Sequence, residues 1–109
     1  MELSGYRSMW TVVMFDLPVD TPKARKAYTS FRMELLRDGF FKLQYSVYAR
    51  PSPSKEIANV HIARVERWLP NAGEVRIFEM TDKQFEAMKI FWGQKRQPPE
   101  SKPHQLEFF

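Results

Sequence analysis

Met9-Trp10-Thr11-Val12-Val13-Met14-Phe15-Asp16-Leu17-Pro18 is an apolar run that ends in a carboxylate and a proline. A nearly unbroken apolar run over residues 9 to 16 reads as a strand buried on both faces. Further on, Gly39-Phe40-Phe41-Lys42-Leu43-Gln44-Tyr45-Ser46-Val47-Tyr48 opens on a glycine and carries Gln-Tyr-Ser-Val-Tyr in a strand-like setting. One helix of crossover length lies between them. Thr21 can cap it, and Pro22 suits its first position. Ala24, Ala27, Tyr28, Phe31 and Leu35 recur at three- and four-residue spacing, the stripe of an amphipathic helix. Gly39 closes that helix just past Asp38. Strand, single helix, strand is the first crossover unit of the fold.

Downstream, Phe41, Leu43, Tyr45, Val47 and Ala49 alternate with Lys42, Gln44, Ser46, Tyr48 and Arg50, which by pattern alone is one long strand. Pro51 and Pro53 break it, and Ser52 can cap a second helix. The apolar arc of that helix is Ile57, Ala58, Ile62, Val65, Trp68 and Leu69, ending at Pro70. Asn71-Ala72-Gly73 is a turn, and residues 74 to 80 form a further strand. Thr81-Asp82-Lys83-Gln84 fits a capping box and predicts a short third helix through Phe91. Residues 93 to 103, with Gly93, Pro98, Pro99 and Pro103, read as an extended linker before a last short strand, Leu106-Glu107-Phe108-Phe109. Two crossover helices on one face of a sheet give an α+β sandwich.

The bulk numbers bound the rest. A chain of 109 residues is one domain, and one this small gains from oligomerisation because it buries little of its surface. It has no cysteine, which excludes disulfides and thiolate metal sites and fits a reducing, cytoplasmic setting. Residues 1 to 8 lack the apolar core of a signal peptide. No run approaches the roughly 18 apolar residues of a membrane span. The net charge of +4 fits a polyanionic partner, with an ordinary basic surface as the plain alternative.

The first strand is apolar on both sides: Trp10, Val12 and Met14 alternate with Thr11, Val13 and Phe15. The last full strand sets Phe78 and Met80 opposite Val75 and Ile77. Helices cover only one face, so the other needs a partner. A two-fold dimer packed sheet on sheet is the simplest one.

Phe15-Asp16 and Gln44-Tyr45-Ser46-Val47-Tyr48 resemble the N-terminal Tyr-Asp and central Gln-x-Ser-Val-Phe signatures of the CRISPR-associated protein two family. The resemblance runs over residues 8 to 109, nearly the whole chain. It implies a ferredoxin-like βαββαβ sandwich over residues 1–92, with an additional short helix. Residues 93–109 would then be a linker and C-terminal strand exchanged with the dimer partner. It also implies that the long alternating strand is a hairpin turning near Gln44-Tyr45, where no good turn former stands. The family has an adaptation role and an endoribonuclease name. By resemblance, Asp16 is the magnesium ligand and the catalytic residue, and Ser46 lies near the metal. Basic residues after the first strand, here Lys23, Arg25 and Lys26, would touch a DNA backbone. The implied partners are a second copy, an integrase subunit and a short double-stranded DNA fragment, the prespacer. Met80-Thr81-Asp82-Lys83-Gln84-Phe85 is similar to members from single-effector, type II systems.

Each residue also has a plainer role. Asp16-Leu17-Pro18 is a turn-like string in which an aspartate can simply bond the backbone. Asp20 is the one nearby second carboxylate. His61 falls in the apolar arc of the second helix and reads as a packed histidine, while His104 is in the linker. Ser46 can be a backbone-bonding serine. Cations at Lys23, Arg25 and Lys26 oppose the helix dipole by about 0.3–1 kcal/mol each, a cost that an anion at the helix start reverses. Arg50 and Arg76 are further candidates for nucleic-acid contact. No base-reading motif is present, so contacts would go to phosphate. Three functions stay open: a spacer-acquisition scaffold, a metal-dependent endonuclease with Asp16 as ligand, and a toxin-like messenger-RNA interferase.

Overall fold

The computed structural model describes residues 8–102. In chain order these form β1 (Met9–Asp16), α1 (Pro22–Arg37), β2 (Phe41–Gln44), β3 (Val47–Ser52), α2 (Lys55–Arg67) and β4 (Glu74–Thr81). Then come α3 (Asp82–Glu86), β5 (Ile90–Trp92) and β6 (Lys95–Gln97). The expected strand at Leu106–Phe109 lies outside the described residues. The main sheet has the order β2-β3-β1-β4 and is antiparallel throughout. The crossover through α1 passes over β3, and the one through α2 passes over β1. Crossovers of one hand put both helices on the same face. This is the expected ferredoxin-like βαββαβ arrangement. Among the described residues no helix is long and apolar enough to cross a membrane.

The helix starts follow their capping residues. The Ala24 amide donates to Thr21 Oγ1 at 3.0 Å, and Pro22 occupies the first turn. At the other end Asp38 caps α1, and Gly39 takes φ +91°, the left-handed conformation glycine tolerates best. Of the apolar stripe, Phe31 and Leu35 are buried, Ala24 and Tyr28 half-buried and Ala27 exposed. Phe15 anchors the helix-side core, with Phe31 at 5.2 Å and Tyr48 at 5.7 Å between ring centroids.

Four sequence expectations need correction. Pro51 does not break the strand: β3 runs through it, paired with Trp10. The pairing with β2 stops at Ala49, so Pro51 stands where the neighbouring strand is gone, a position that tolerates proline. Ser54, not Ser52, caps α2, accepting from the Ile57 amide at 3.2 Å. Leu69 lies beyond α2 and is exposed rather than part of its buried arc. The capping box at Thr81 and Gln84 is present, yet α3 ends at Glu86. Residues 90–97 then form a separate hairpin that turns at Gly93, φ +64°. The boundary expected at 92/93 therefore falls inside a hairpin.

The long alternating segment is two strands, as the resemblance implied. Tyr45 and Ser46 form the turn, and Ser46 sits at φ +61°, an uncommon conformation for a residue with a side chain. A two-residue turn pairs Gln44 with Val47, residues of opposite parity. The ladder shifts by one between Lys42 and Gln44, so that Lys42 meets Tyr48 and Phe41 meets Ala49. That bulge restores the alternation across the turn, which is why the pattern alone reads as one strand.

Among the described residues the second sheet face is covered at one end only. There Phe85 of α3 stacks on Trp10 with centroids 3.7 Å apart, and Trp10 Nε1 donates to Asp82 Oδ1 at 2.8 Å. The rest is an apolar groove of about 480 Å³, lined by Val12, Met14, Val47, Phe78 and Met80 among others.

Candidate functional site

Asp16 is the last residue of β1 and is exposed. Its neighbour Leu17 is buried, so the chain dives back into the core immediately after the carboxylate. Gly73 permits this. A Cβ there would lie 2.7 Å from Leu17 Cδ2 and 2.8 Å from the Asp16 carbonyl oxygen, and Gly73 has φ +93°. Only a residue without a side chain lets β4 begin this close to the end of β1.

The two signature segments meet at this tip. The Phe15 amide donates to the Ser46 carbonyl at 3.0 Å, so the Gln44–Tyr48 turn docks against the residue before Asp16. The Ser46 hydroxyl makes a long 3.4 Å contact with the Tyr28 hydroxyl. Tyr45 is exposed, lies over Tyr28 at 6.4 Å between centroids, and has the Lys42 ammonium 5.7 Å from its ring. The Tyr28 hydroxyl beside it holds the Tyr45 phenol above its usual range. Sequence reasoning placed Tyr28 in the core stripe and missed this pair; the exposed aromatic in a turn was the available signal.

Glu74 is the register partner of Asp16. Its carboxylate accepts from Arg76 Nε at 2.9 Å, and that guanidinium holds it below the ordinary carboxylate range. Among the described residues no ion pair engages Asp16. Nor does any group of three or more His, Asp or Glu converge to hold a metal. This donor set does not fit zinc, which wants three or four protein ligands. It fits a magnesium ion, which keeps most of its waters and takes one or two carboxylates. Asp20 is exposed in the following loop.

The basic candidates separate into three environments. Lys23, Arg25 and Lys26 are exposed together at the start of α1, whose first turn has no acidic residue. Arg25 Nη1 donates to the Val19 carbonyl at 3.0 Å, tying the loop after β1 to the helix. Arg76 is exposed on the sheet face away from the helices, paired with Glu74. Arg50 stands apart. It is 3% exposed, and its Nη1 donates to the Asp38 carbonyl at 3.0 Å. It shares its face with Tyr48, which packs in the helix-side core, because β3 sets Arg50 and Tyr48 in register with Thr11 and Val13 of β1.

His61 is buried, as its position in the apolar arc suggested. Its Nδ1 lies 2.7 Å from Asp38 Oδ2, and Arg64 Nη1 lies 2.7 Å from Asp38 Oδ1. Burial pushes the His61 pKa below its ordinary value, with Asp38 opposing. Asp38 and Arg64 were not singled out in the sequence. His104 lies outside the described residues.

These features define a ferredoxin-like domain with an exposed carboxylate at the tip of its first strand and a docked Gln-x-Ser turn beside it. The family model described as CRISPR associated protein Cas2 matches residues 9–88, so the chain belongs to the Cas2 family. A Parvibaculum lavamentivorans protein named CRISPR-associated endoribonuclease Cas2 is 54% identical, covering 93% of this chain and all of its own length. Proteins of the same name from Paracidovorax avenae and Flavobacterium psychrophilum are 49% and 44% identical. Each aligns with 98% of this chain, over 99% and 93% of their own lengths respectively.

Proposed function

We propose that the chain is a structural subunit of CRISPR spacer acquisition. In this reading a homodimer bridges integrase subunits and holds a short DNA duplex. The observation that carries it is the second sheet face. A domain of this size leaves an apolar groove of about 480 Å³ open, with Phe78, Phe91 and Trp92 exposed at its border. A second copy packed there sheet on sheet would bury it. The exposed Lys23, Arg25 and Lys26 supply sequence-independent phosphate contacts. Light scattering should give about twice the 13.0 kDa chain mass, and deleting residues 104–109 should weaken the dimer if the tail is exchanged. Changing Lys23, Arg25 and Lys26 together to Ala should weaken duplex binding equally across sequences. The salt slope should flatten by about 0.9 per lost contact. Failure to capture the integrase subunit would favour the toxin-like reading.

One observation favours a second reading, a magnesium-dependent endonuclease. Asp16 is exposed and pinned between the Gly73 approach and the docked Ser46 turn, a rigid mount for a reactive tip. Asp16, with Glu74 behind it, would hold the ion, which when bound supplies charge stabilisation at a phosphodiester. Asp16→Asn keeps the size and removes the charge. Under the scaffold reading it abolishes any magnesium-dependent cleavage and leaves integration by the reconstituted complex intact. Loss of both together would make catalysis the main role.

A further inference from the structure

The helix side of the molecule carries a second polar centre, remote from the strand tip. A groove of about 490 Å³ lies between the C-terminal end of α1 and the face of α2, bordered by Arg37, Arg50, Arg64 and His61. The one carboxylate in its lining, Asp38, is buried and already engaged by His61 and Arg64. Arg50 is 3% exposed, yet among the described residues its one polar partner is a main-chain carbonyl, and its Nε has none. A buried guanidinium with an incomplete set of acceptors is costly. Desolvation disfavours the Arg50 charge, Asp38 partly offsets that, and the neighbouring Arg64 adds to it. The lining thus holds three guanidinium groups against one carboxylate, a surplus of positive charge that an oxyanion would offset.

The groove shares a wall, Arg37, with another that leads to the basic start of α1. That adjoining groove runs past Arg25, Lys26, Thr29 and Ser30. From Arg25 to Arg37 is twelve residues of helix, or about 18 Å at the helical rise. That is roughly the axial length of five base pairs. The only acid in the adjoining lining is Glu34, paired with Arg37 at 3.0 Å across a surface where such pairs contribute little.

We propose that the α1–α2 groove is a phosphate site for one strand of the bound nucleic acid. Arg37 and Arg64 are the contacts, Arg50 supplies fixed charge behind them, and the backbone follows α1 from the Lys23-Arg25-Lys26 cluster. The proposal rests on the nucleic-acid reading above and extends its footprint to the far end of the helix.

The test is the salt dependence of affinity of the full-length protein for a short DNA duplex. Arg37→Gln and Arg64→Gln should each weaken binding several-fold and flatten the log–log salt slope by about 0.9. Glu34→Gln should tighten binding, because it frees Arg37. Lys95→Gln, which removes the same charge from the β5–β6 hairpin, should leave the slope unchanged. Circular dichroism and melting temperature identify any variant that has lost its fold, and Arg37, being exposed, keeps the test interpretable if Arg64→Gln unfolds. The groove is wrong if folded Arg37→Gln and Glu34→Gln bind with wild-type affinity and slope while the Lys23/Arg25/Lys26 triple variant loses both; the nucleic-acid reading then survives. If the wild-type protein itself shows no salt-dependent duplex binding, that reading and the groove fall together.

Discussion

The two faces of the β2-β3-β1-β4 sheet are made by the same strands and end in different states. On the helix side, Val13, Phe15 and Tyr48 meet Phe31, Leu35 and Val65 in a closed core. On the other side, Trp10 and Phe85 close one end, while Met14, Val47, Phe78 and Met80 line an open groove. Apolar alternation on both sides of β1 says that both faces are to be covered; it does not say by what. One face is completed within the chain. The other is finished locally by a five-residue helix and, among the described residues, left apolar beyond it. Folding is thus secured on one side, and the other side is free to recognise.

The contrast can be broken first at its covered ends, where the effects are largest. Trp10→Ala removes the ring that stacks on Phe85 and the donor to Asp82, and should cost about 3–5 kcal/mol. Leu35→Ala on the helix side should cost about 2–5 kcal/mol, since Leu35 is fully buried. Urea unfolding measures both. If Trp10→Ala costs under about 1 kcal/mol, the second face has no core of its own and the stack does not hold α3 in place.

Gly73→Ala should come next, at about 1–3 kcal/mol, because it combines a positive φ with contacts under 3 Å to Leu17 and the Asp16 carbonyl. It also sharpens the link between fold and tip. If Asp16 holds magnesium, as proposed, the variant should bind the ion more weakly than its stability loss explains, read on the folded fraction.

Phe78→Glu tests the open end. Phe78 is 39% exposed, so the change should move the stability of the isolated domain by no more than about 0.5 kcal/mol. If copies pair on this face, as proposed, it should nevertheless convert dimer to monomer in light scattering. A dimer that persists unchanged would show that this face is not where copies meet. A loss as large as that of Trp10→Ala would show that the groove is core after all.

Much of this contrast was legible in the residues. The alternation of strands and helices, the capping of α1 and the apolar second face follow from periodicity and from Thr21, Pro22 and Gly39, while the hairpin that completes βαββαβ came from the family resemblance. What was hidden is specific. The bulge after Lys42 preserves parity across a turn that lacks any turn former, so no pattern could divide β2 from β3. Arg50 reads as outward because it alternates with the apolar Phe41, Leu43, Val47 and Ala49, yet those face the open side and Arg50 lies with Tyr48 on the helix side. The hairpin at Gly93 hid within a proline-rich stretch that looks like a linker. Asp38 and Arg64, 26 residues apart in sequence, become a site only when α1 and α2 lie side by side. Asp16 and the Ser46 turn were found through family signatures, since one exposed aspartate carries no signal by itself.

The smallest effect lies between the faces, where α1, α2 and β3 converge on Asp38. His61 is held neutral by burial, so its folded-state pKa lies below the ordinary 6.5 it has when unfolded. The unfolded chain therefore binds a proton first as pH falls. The stability contributed by neutral His61 is complete above about pH 6.5 and declines as pH drops from there through the folded pKa. Arg50 and Arg64 add to the penalty on the charged imidazole, and Asp38 reduces it. His61→Gln keeps an N–H donor for Asp38 and cannot titrate. Its unfolding free energy should be flat between pH 7 and about pH 5, where the wild type slopes downward. Both proteins should then fall together at lower pH as Glu74, whose pKa is held low by Arg76, takes up its proton. A wild-type curve that rises as pH drops below 6.5 would mean that Asp38 outweighs burial and His61 is charged in the fold. The α1–α2 groove would then carry one more positive charge toward any phosphate it receives.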